Sequence, residues 1–270
     1  MKAIGIGDNV VDKYEHQRIR YPGGNALNFS VYAGLLGAES AYLGIFGTDA
    51  AADHLQRTLT ARGIDFTRCR QVAGENGYAR LTIEQGERLF LGSNLGGVRQ
   101  TESMDFILQH SNWLSEFDLL HTSSYSYIDA LLPELAQLPG WLSYDFSDDF
   151  DPVQALPLCR WLDSAFFSCA GWSLPATRQL LQQVVDSGSN YAIATRGAEG
   201  ALLFDGSNWR QQAPLLITPV DTLGAGDAFI TAFLLALRTN GDIAAAMEAG
   251  AAFAAKICLL HGAFGEGEAF

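Results

Sequence analysis

Basic residues are scarce in this chain. Seventeen Lys and Arg stand against 30 Asp and Glu, a net charge of −13. A surface of that sign repels phosphate backbones and anionic lipid, which excludes nucleic acid as a natural partner. Cysteine is scarce too. Cys69, Cys159, Cys169 and Cys258 show neither CxxC nor CxxH spacing, which argues against a disulfide framework or a structural zinc site and suits a reducing compartment. The histidines show no ligand spacing and take no metal role. Long apolar runs are missing: Ala228–Leu237 is flanked by Asp227 and Arg238 and is too short to cross a bilayer. Met1 leads at once into a strand-like run and then into Asp12, Lys13 and Glu15, with no room for a signal-peptide core. The expectation is a cytoplasmic protein with no membrane partner. No internal repeat, no low-complexity linker and no Walker A loop occurs. Apolar residues are plentiful, 48% of 270 positions, enough for a sizeable core.

Short apolar runs read as buried strands at 3–6, 41–45, 119–121, 142–146, 165–167, 191–195 and 201–204, with a further strand-like run at 216–220. Helical stretches fall at 26–37, 49–62 and 174–186. That alternation predicts an α/β fold whose mostly parallel sheet is covered by helices. The runs 78–84 and 88–91, joined at Gln85-Gly86-Glu87, read instead as a hairpin. With the polar segment Asp12–Pro22 it predicts a small projecting sheet whose exposed face needs a cover, from ligand or from a second subunit. From Asp242 an alanine-rich helix runs toward His261-Gly262, its small side chains admitting a neighbouring helix or a flat ligand. The whole reads as one domain, 1–270, with a lid built from about 11–22 and 72–98.

The strongest chemical signal is Asp221-Thr222-Leu223-Gly224-Ala225-Gly226-Asp227 before the apolar helix. Glycines opening a helix let bare N–H groups converge on an anion, where the helix dipole adds positive charge. Asp227, in the first turn, is placed to take a proton from an attacking hydroxyl; an ordinary helix-start carboxylate is the plainer alternative. A second glycine-rich turn, Thr195-Arg196-Gly197-Ala198-Glu199-Gly200, follows a buried strand. It suits nucleotide phosphates, or simply a connection into the next strand. Gly5-Ile6-Gly7-Asp8-Asn9 fails as a dinucleotide fingerprint because its third glycine would be Val10, which makes an oxidoreductase the weakest reading. Asp8 instead lies at a strand's carboxyl end, suited to substrate hydroxyls. Gly23-Gly24-Asn25 opens a helix on which Asn25 and Asn28 share a face and can read sugar hydroxyls. An N-cap for Asn25 and a solvated position for Asn28 are the alternatives. Asp145 and Asp148, at a strand end, could organise a magnesium ion through water; a solvated acidic loop is the bland version.

Gly23-Gly24-Asn25, Thr195-x-Gly-x-x-Gly200 and Asp221-Thr-x-Gly-Ala-Gly-Asp227 together resemble the ribokinase-like (PfkB) carbohydrate kinase family, in order and spacing, over essentially the whole chain. The resemblance implies a ribokinase-like three-layer sandwich with a mostly parallel central sheet and a small β lid. It also implies ATP- and Mg2+-dependent phosphorylation of a sugar. It carries the roles of catalytic base to Asp227, anion hole to Gly224, Ala225 and Gly226, and nucleotide turn to Thr195, Gly197 and Gly200. Sugar binding goes to Asp8, Gly24, Asn25 and Asn28. Asp221 matches a position that in some members helps hold a monovalent cation such as K+. Gly7-Asp8-Asn9 with Val11-Asp12 and Tyr14, the run Asp145-Phe146-Ser147-Asp148, and Trp209–Pro214 are most similar to members that phosphorylate fructosyl amino acids, fructoselysine among them, at the 6-hydroxyl. Arg18, Arg88 and Arg99 are then the candidates for meeting the amino-acid carboxylate. A general ketose or ribose kinase, or a non-catalytic sugar or nucleotide sensor on the same fold, is the competing reading. One departure is clear. Where many members carry Asn-x-x-Glu near the magnesium, this chain has Ser168 and Gly171, which turns attention to Asp145 or Asp148 as metal ligands. A homodimer through the lid is also expected.

Overall fold

The computed structural model describes residues 1–84 and 87–270, and of residues 83, 84, 87 and 88 the backbone alone. Buried strands alternate their apolar side chains between two faces, and the clusters on the two sides of the sheet follow that alternation. Ala3, Leu119, Phe166, Ile193 and Leu203 face one core. Their neighbours Ile4, Leu120, Phe167, Ala192 and Leu202 face another. The sheet that carries both contains β1 (Lys2–Gly7), β4 (Glu39–Phe46), β5 (Arg70–Gln71), β8 (Leu119–Ser123), β9 (Trp141–Asp145), β10 (Ser164–Ser168), β11 (Tyr191–Thr195), β12 (Ala201–Phe204) and β13 (Trp209–Gln212). Its order is β13-β12-β11-β10-β9-β8-β1-β4-β5. Pairing is parallel from β11 through to β5 and antiparallel where β12 and β13 are added.

One face is covered by α1 (Asn25–Leu35), α7 (Ala225–Asn240) and α8 (Ile243–Ile257), through Phe29, Ala33, Phe229, Phe233 and Met247. The other is covered by α6 (Leu174–Asp186) and by 3₁₀ and short helical turns that include α3 (Ser111–Leu114), α4 (Leu132–Leu135) and α5 (Pro152–Ala155). Helix α2 (Ala50–Ala61) packs beyond β4. The architecture is the expected three-layer α/β sandwich. The carboxyl ends of β1, β8, β9, β10 and β11 therefore come to one edge, where open α/β sheets bind ligands.

The lid is a second sheet, ordered β14-β3-β2-β6-β7, from β2 (Val10–Tyr14), β3 (Ile19–Gly23), β6 (Gly77–Glu84), β7 (Glu87–Ser93) and β14 (Glu268–Ala269). The polar segment 12–22 supplies the β2–β3 hairpin and 77–93 the antiparallel pair β6–β7; the turn at Gln85-Gly86 lies outside the described residues. Strand β14, too short and too close to the end of the chain to show a pattern, adds to β3, where Glu268 meets Arg20 and Arg57 at 2.5 Å each.

Two expectations need correction. Residues 216–220 form no strand; the segment 213–219 is irregular, with Leu216 97% exposed. Pro214 and Pro219 have no N–H to offer a sheet ladder, so the apolar composition there does not mean a buried strand. The last helix ends at Ile257, and turns carry the chain through His261-Gly262. Among the described residues no helix is long and apolar enough to cross a membrane.

Candidate active site

Helix α1 starts without a capping side chain. Its N-cap is Gly24, at φ 105°, where a Cβ would come within 2.8 Å of the Asn9 backbone. The cap arrives from β1 instead: Asp8 Oδ2 accepts from the Asn25 N–H (2.6 Å) and Oδ1 from the Ala26 N–H (3.2 Å). Oδ1 also accepts from the hydroxyls of Ser123 and Ser126, both at 2.9 Å. A carboxylate has about four acceptor positions. Four protein donors nearly exhaust them, so Asp8 acts first as the anchor of α1. Asn25 is then the first helical residue and not the cap.

The face of α1 fixed by this anchor reads outward in helical steps. Asn25 Nδ2 donates to Asp145 Oδ2 (2.8 Å), and one turn later Asn28 Nδ2 donates to Asp227 Oδ2 (2.7 Å). A further turn on, the Tyr32 hydroxyl donates to the Ala263 carbonyl (2.5 Å). Asn28 is buried, not solvated, and its Oδ1 has no hydrogen-bond partner. An acceptor left over beside a carboxylate suits a ligand hydroxyl.

Asp227 lies in the first turn of α7, whose N-cap Gly224 is left-handed at φ 73°. Ala228 N–H is the first to bond a helical carbonyl, that of Gly224 (2.9 Å); the N–H groups of Gly226 and Asp227, two and one residues earlier, have no intrahelical acceptor. A Cβ at Gly226 would meet nothing within 4 Å, whereas one at Gly224 would come within 2.4 Å of the Tyr32 hydroxyl. Gly226 thus opens onto space at a helix N-terminus. Burial pushes the Asp227 carboxyl well above its ordinary range. Asp145, Asp8 and Asp12 push the same way, and the Asn28 hydrogen bond opposes them. Asp145 is raised to about 6, chiefly by burial, with Ser147 N–H and Asn25 opposing and Asp8 and Asp148 adding. A buried carboxyl held in that range is suited to proton transfer near neutrality. Asp12, which the sequence reading left inside the lid, is buried on β2 and contributes to this field. The G-D-x-x-x-D spacing from Gly7 was its only sequence signal.

On the other side of the α7 N-terminus lies a cavity of about 560 Å³. Thr195, Gly197 and Gly200 line it together with Thr222, Ala225 and Gly226. Gly197 and Gly200 adopt φ 56° and 84°, and a Cβ at Gly200 would come within 2.0 Å of the Gln212 carbonyl. The turn is therefore both the link into β12 and one wall of the cavity. The irregular segment with Leu215, Leu216 and Ile217 faces the small residues Ala251, Ala254 and Ala255 of α8 across it. A slot with apolar walls and bare N–H groups at its inner end matches a nucleotide, base outward and phosphates inward.

The three proposed metal ligands form no single cluster. Asp145 is buried against Asn25, and Asp148 is exposed with the Tyr125 and Ser147 hydroxyls near it. The Asp221 carboxylate accepts from the Tyr14 hydroxyl and from the N–H groups of Leu223 and Gly262. No group of three His, Cys, Asp or Glu among the described residues could hold a metal. Ser168 lines this cavity, and Gly171, at φ 79°, has nothing within 4 Å of a Cβ position. These residues do not form a dedicated Mg2+ cage.

Of the three arginines, Arg18 lies on the outside of the lid over the Phe270 ring, and the Arg88 side chain is outside the described residues. Arg99 is 6% exposed, donates to the carbonyls of Glu102 and Ser126, and has a buried Nε without a partner. Among the described residues no carboxylate pairs with it. Burial lowers its pKa, and Asp8 is among the groups opposing that.

A family profile described as "pfkB family carbohydrate kinase" matches residues 2–165 and 162–266. Fructosamine kinase FrlD of Bacillus subtilis (strain 168) is 41% identical over 268 residues, covering 99% of this chain and 94% of that protein. Fructoselysine 6-kinase of Escherichia coli (strain K12) is 30% identical over 267 residues, 98% of this chain and all of that protein. The crystal structure of aminoimidazole riboside kinase from Salmonella enterica, complexed with aminoimidazole riboside and an ATP analog, superposes with a TM-score of 0.78 at 21% identity. It covers 98% of this chain and 95% of that one.

Proposed function

The chain belongs to the pfkB family of ATP-dependent carbohydrate kinases, and from that premise we propose that it phosphorylates the 6-hydroxyl of a fructosyl amino acid, fructoselysine or a close relative. One observation carries the chemistry: a buried carboxylate, Asp227, sits in the first turn of α7, beside the open N–H groups at Gly226 and within the reach of α1's amides. The sugar lies between α1 and the lid. Asn28 Oδ1 and Asp12 read its hydroxyls, and Asp8 keeps the start of α1 in place. Asp227 takes the proton of the attacking hydroxyl, whose oxygen bonds to the γ-phosphorus as the bond to the leaving ADP oxygen breaks. The N–H groups of Gly226 and Asp227 meet charge on the transferred phosphoryl.

With no cage of three carboxylates among the described residues to hold it, Mg2+ would be carried by the nucleotide's own phosphates and would supply neutralisation of their charge. The fructosyl-amino-acid assignment is supported by the two fructosamine-directed relatives and by Arg99, a buried guanidinium that has no carboxylate partner among the described residues and bonds the same Ser126 whose hydroxyl holds Asp8. Such a group suits the substrate's carboxylate. A homodimer through the lid is supported by Leu89, Phe90 and Leu91 on β7, Phe90 being 68% exposed.

The test is Asp227→Asn with ATP and fructoselysine. The variant should bind both substrates within a few-fold of wild type and lose about 10²–10⁴ in turnover. Near wild-type turnover would remove Asp227 as the base, and a wild type equally fast on free fructose would remove the amino-acid assignment.

A further inference from the structure

We propose that Tyr14 and Asp221 form a buried strut that sets the anion hole from the lid, which makes Tyr14 a positioning residue for phosphoryl transfer. Tyr14 stands on lid strand β2 and is fully buried. Its hydroxyl donates to Asp221 Oδ2. The same oxygen accepts the Gly262 N–H at 3.0 Å, and Oδ1 accepts the Leu223 N–H at 3.0 Å. One carboxylate thus joins the lid, the loop that opens α7, and the turn after α8. The Asp221 N–H bonds the Cys258 carbonyl at 3.2 Å, anchoring the loop from its other end.

Packing repeats the connection. Tyr14, Tyr21 and Leu81 of the lid form one small core with Ile19 and Leu223. The Tyr14 and Tyr21 rings meet edge-on with centroids 5.0 Å apart. Tyr21 also lies over Gly262, where a Cβ would come within 2.6 Å of the ring. Leu223 directly precedes Gly224, whose left-handed φ aims the first turn of α7. Holding the Leu223 N–H therefore holds the direction of the open N–H groups at Gly226 and Asp227. Buried hydrogen bonds onto one side chain are directional, so the strut preorganises the hole at no cost during the reaction. Strand β2 also carries Asp12, so the strand that covers the sugar is the one that braces the phosphoryl site. In this arrangement the Asp221 carboxylate is the acceptor of the strut and not a ligand for K+.

The proposal rests on the kinase reading of the site and not on which sugar is used. Tyr14→Phe removes a single hydroxyl and keeps the ring in its core. It should lower kcat about tenfold while both KM values stay within about threefold, because misplacement of the hole is felt in the transition state and not in ground-state binding. Asp221→Asn should give a similar kcat loss, and the double variant should be no worse than the poorer single variant, as for two ends of one interaction. Urea unfolding of each variant checks that the fold remains. Three outcomes would each overturn the proposal: a Tyr14→Phe kcat within about twofold of wild type, kcat losses that multiply in full, or an Asp221→Asn defect that appears as a raised K+ requirement with Tyr14→Phe unaffected. An inactive wild type would instead count against the substrate assignment.

Discussion

Asp145 offers a perturbation whose effect on stability and on catalysis can both be worked out. Its folded pKa of about 6 lies about 2.2 units above the ordinary 3.8, which at 1.36 kcal/mol per unit is a penalty of about 3 kcal/mol for the ionised form in the fold. The sign follows from proton binding. Below pH 3.8 both folded and unfolded chains carry the proton and the group contributes nothing. Between 3.8 and 6 the folded state binds the proton more tightly, so stability falls as pH rises, and above 6 the full penalty is present. The amide introduced by Asp145→Asn has no such charge. It keeps an acceptor for one of the two donors that Asp145 serves, Asn25 Nδ2 or Ser147 N–H, and an amide flip of Asn25 can answer the new NH2. The stability difference between Asp145→Asn and wild type should therefore swing by about 2.4 kcal/mol in the variant's favour from pH 4 to pH 8, since part of the penalty is already present at pH 4, measured by urea unfolding across that range. The same substitution removes the charge that, after burial, does most to raise Asp227, so the acid limb of kcat/KM should move to lower pH. A stability difference flat across pH, or an unmoved acid limb, would refute the reasoning. A raised Mg2+ requirement would show that Asp145 serves the metal after all.

The remaining expectations are narrower. Arg99→Gln should cost about 10- to 100-fold in kcat/KM on a fructosyl amino acid, the worth of a charged hydrogen bond, and leave free fructose nearly untouched; equal losses on both would make Arg99 a brace for Ser126. Gly226→Ala should unfold no earlier than wild type, since its Cβ meets open space on a helix, yet lose most turnover by filling the phosphoryl site, and full activity would move that site elsewhere. Phe90→Glu should turn a dimer into a monomer in sedimentation at micromolar concentration, and a wild type that is already monomeric would end the dimer proposal.

Much of this protein was legible before folding. The period of the apolar runs is a local property, and so are the glycine turns, which is why β1, β4, β6 to β12 and the helices at 25–35, 50–61 and 174–186 stand close to where the pattern puts them, while the two-residue β5 gave no signal. The motif ending at Asp227 also marked the start of α7, because a turn of consecutive backbone N–H groups at a helix start is contiguous in sequence. Residues 216–220 misled because apolar composition says nothing about whether a strand edge is available. Strand β14 gave no signal because two residues carry no period.

What tertiary structure alone decided is how side chains far apart in the chain divide the work. Asp8 looks like a hydroxyl reader from its place at a strand end, but Ser123, Ser126 and the start of α1 converge on it and make it an anchor. Asp12 looks like a lid charge, yet it is folded into the field of Asp227. Asp145 and Asp148 look like magnesium ligands and Asp221 like a monovalent-cation ligand, and the fold puts them in a buried pair with Asn25, an exposed loop and a hydrogen bond to Tyr14. Residue type and spacing along the chain settle which chemistry is available at a strand end or a helix start. Whether a carboxylate's lone pairs are spent on the protein or left for a ligand depends on donors 17 to 207 residues away, and only the folded chain brings those donors within hydrogen-bond reach.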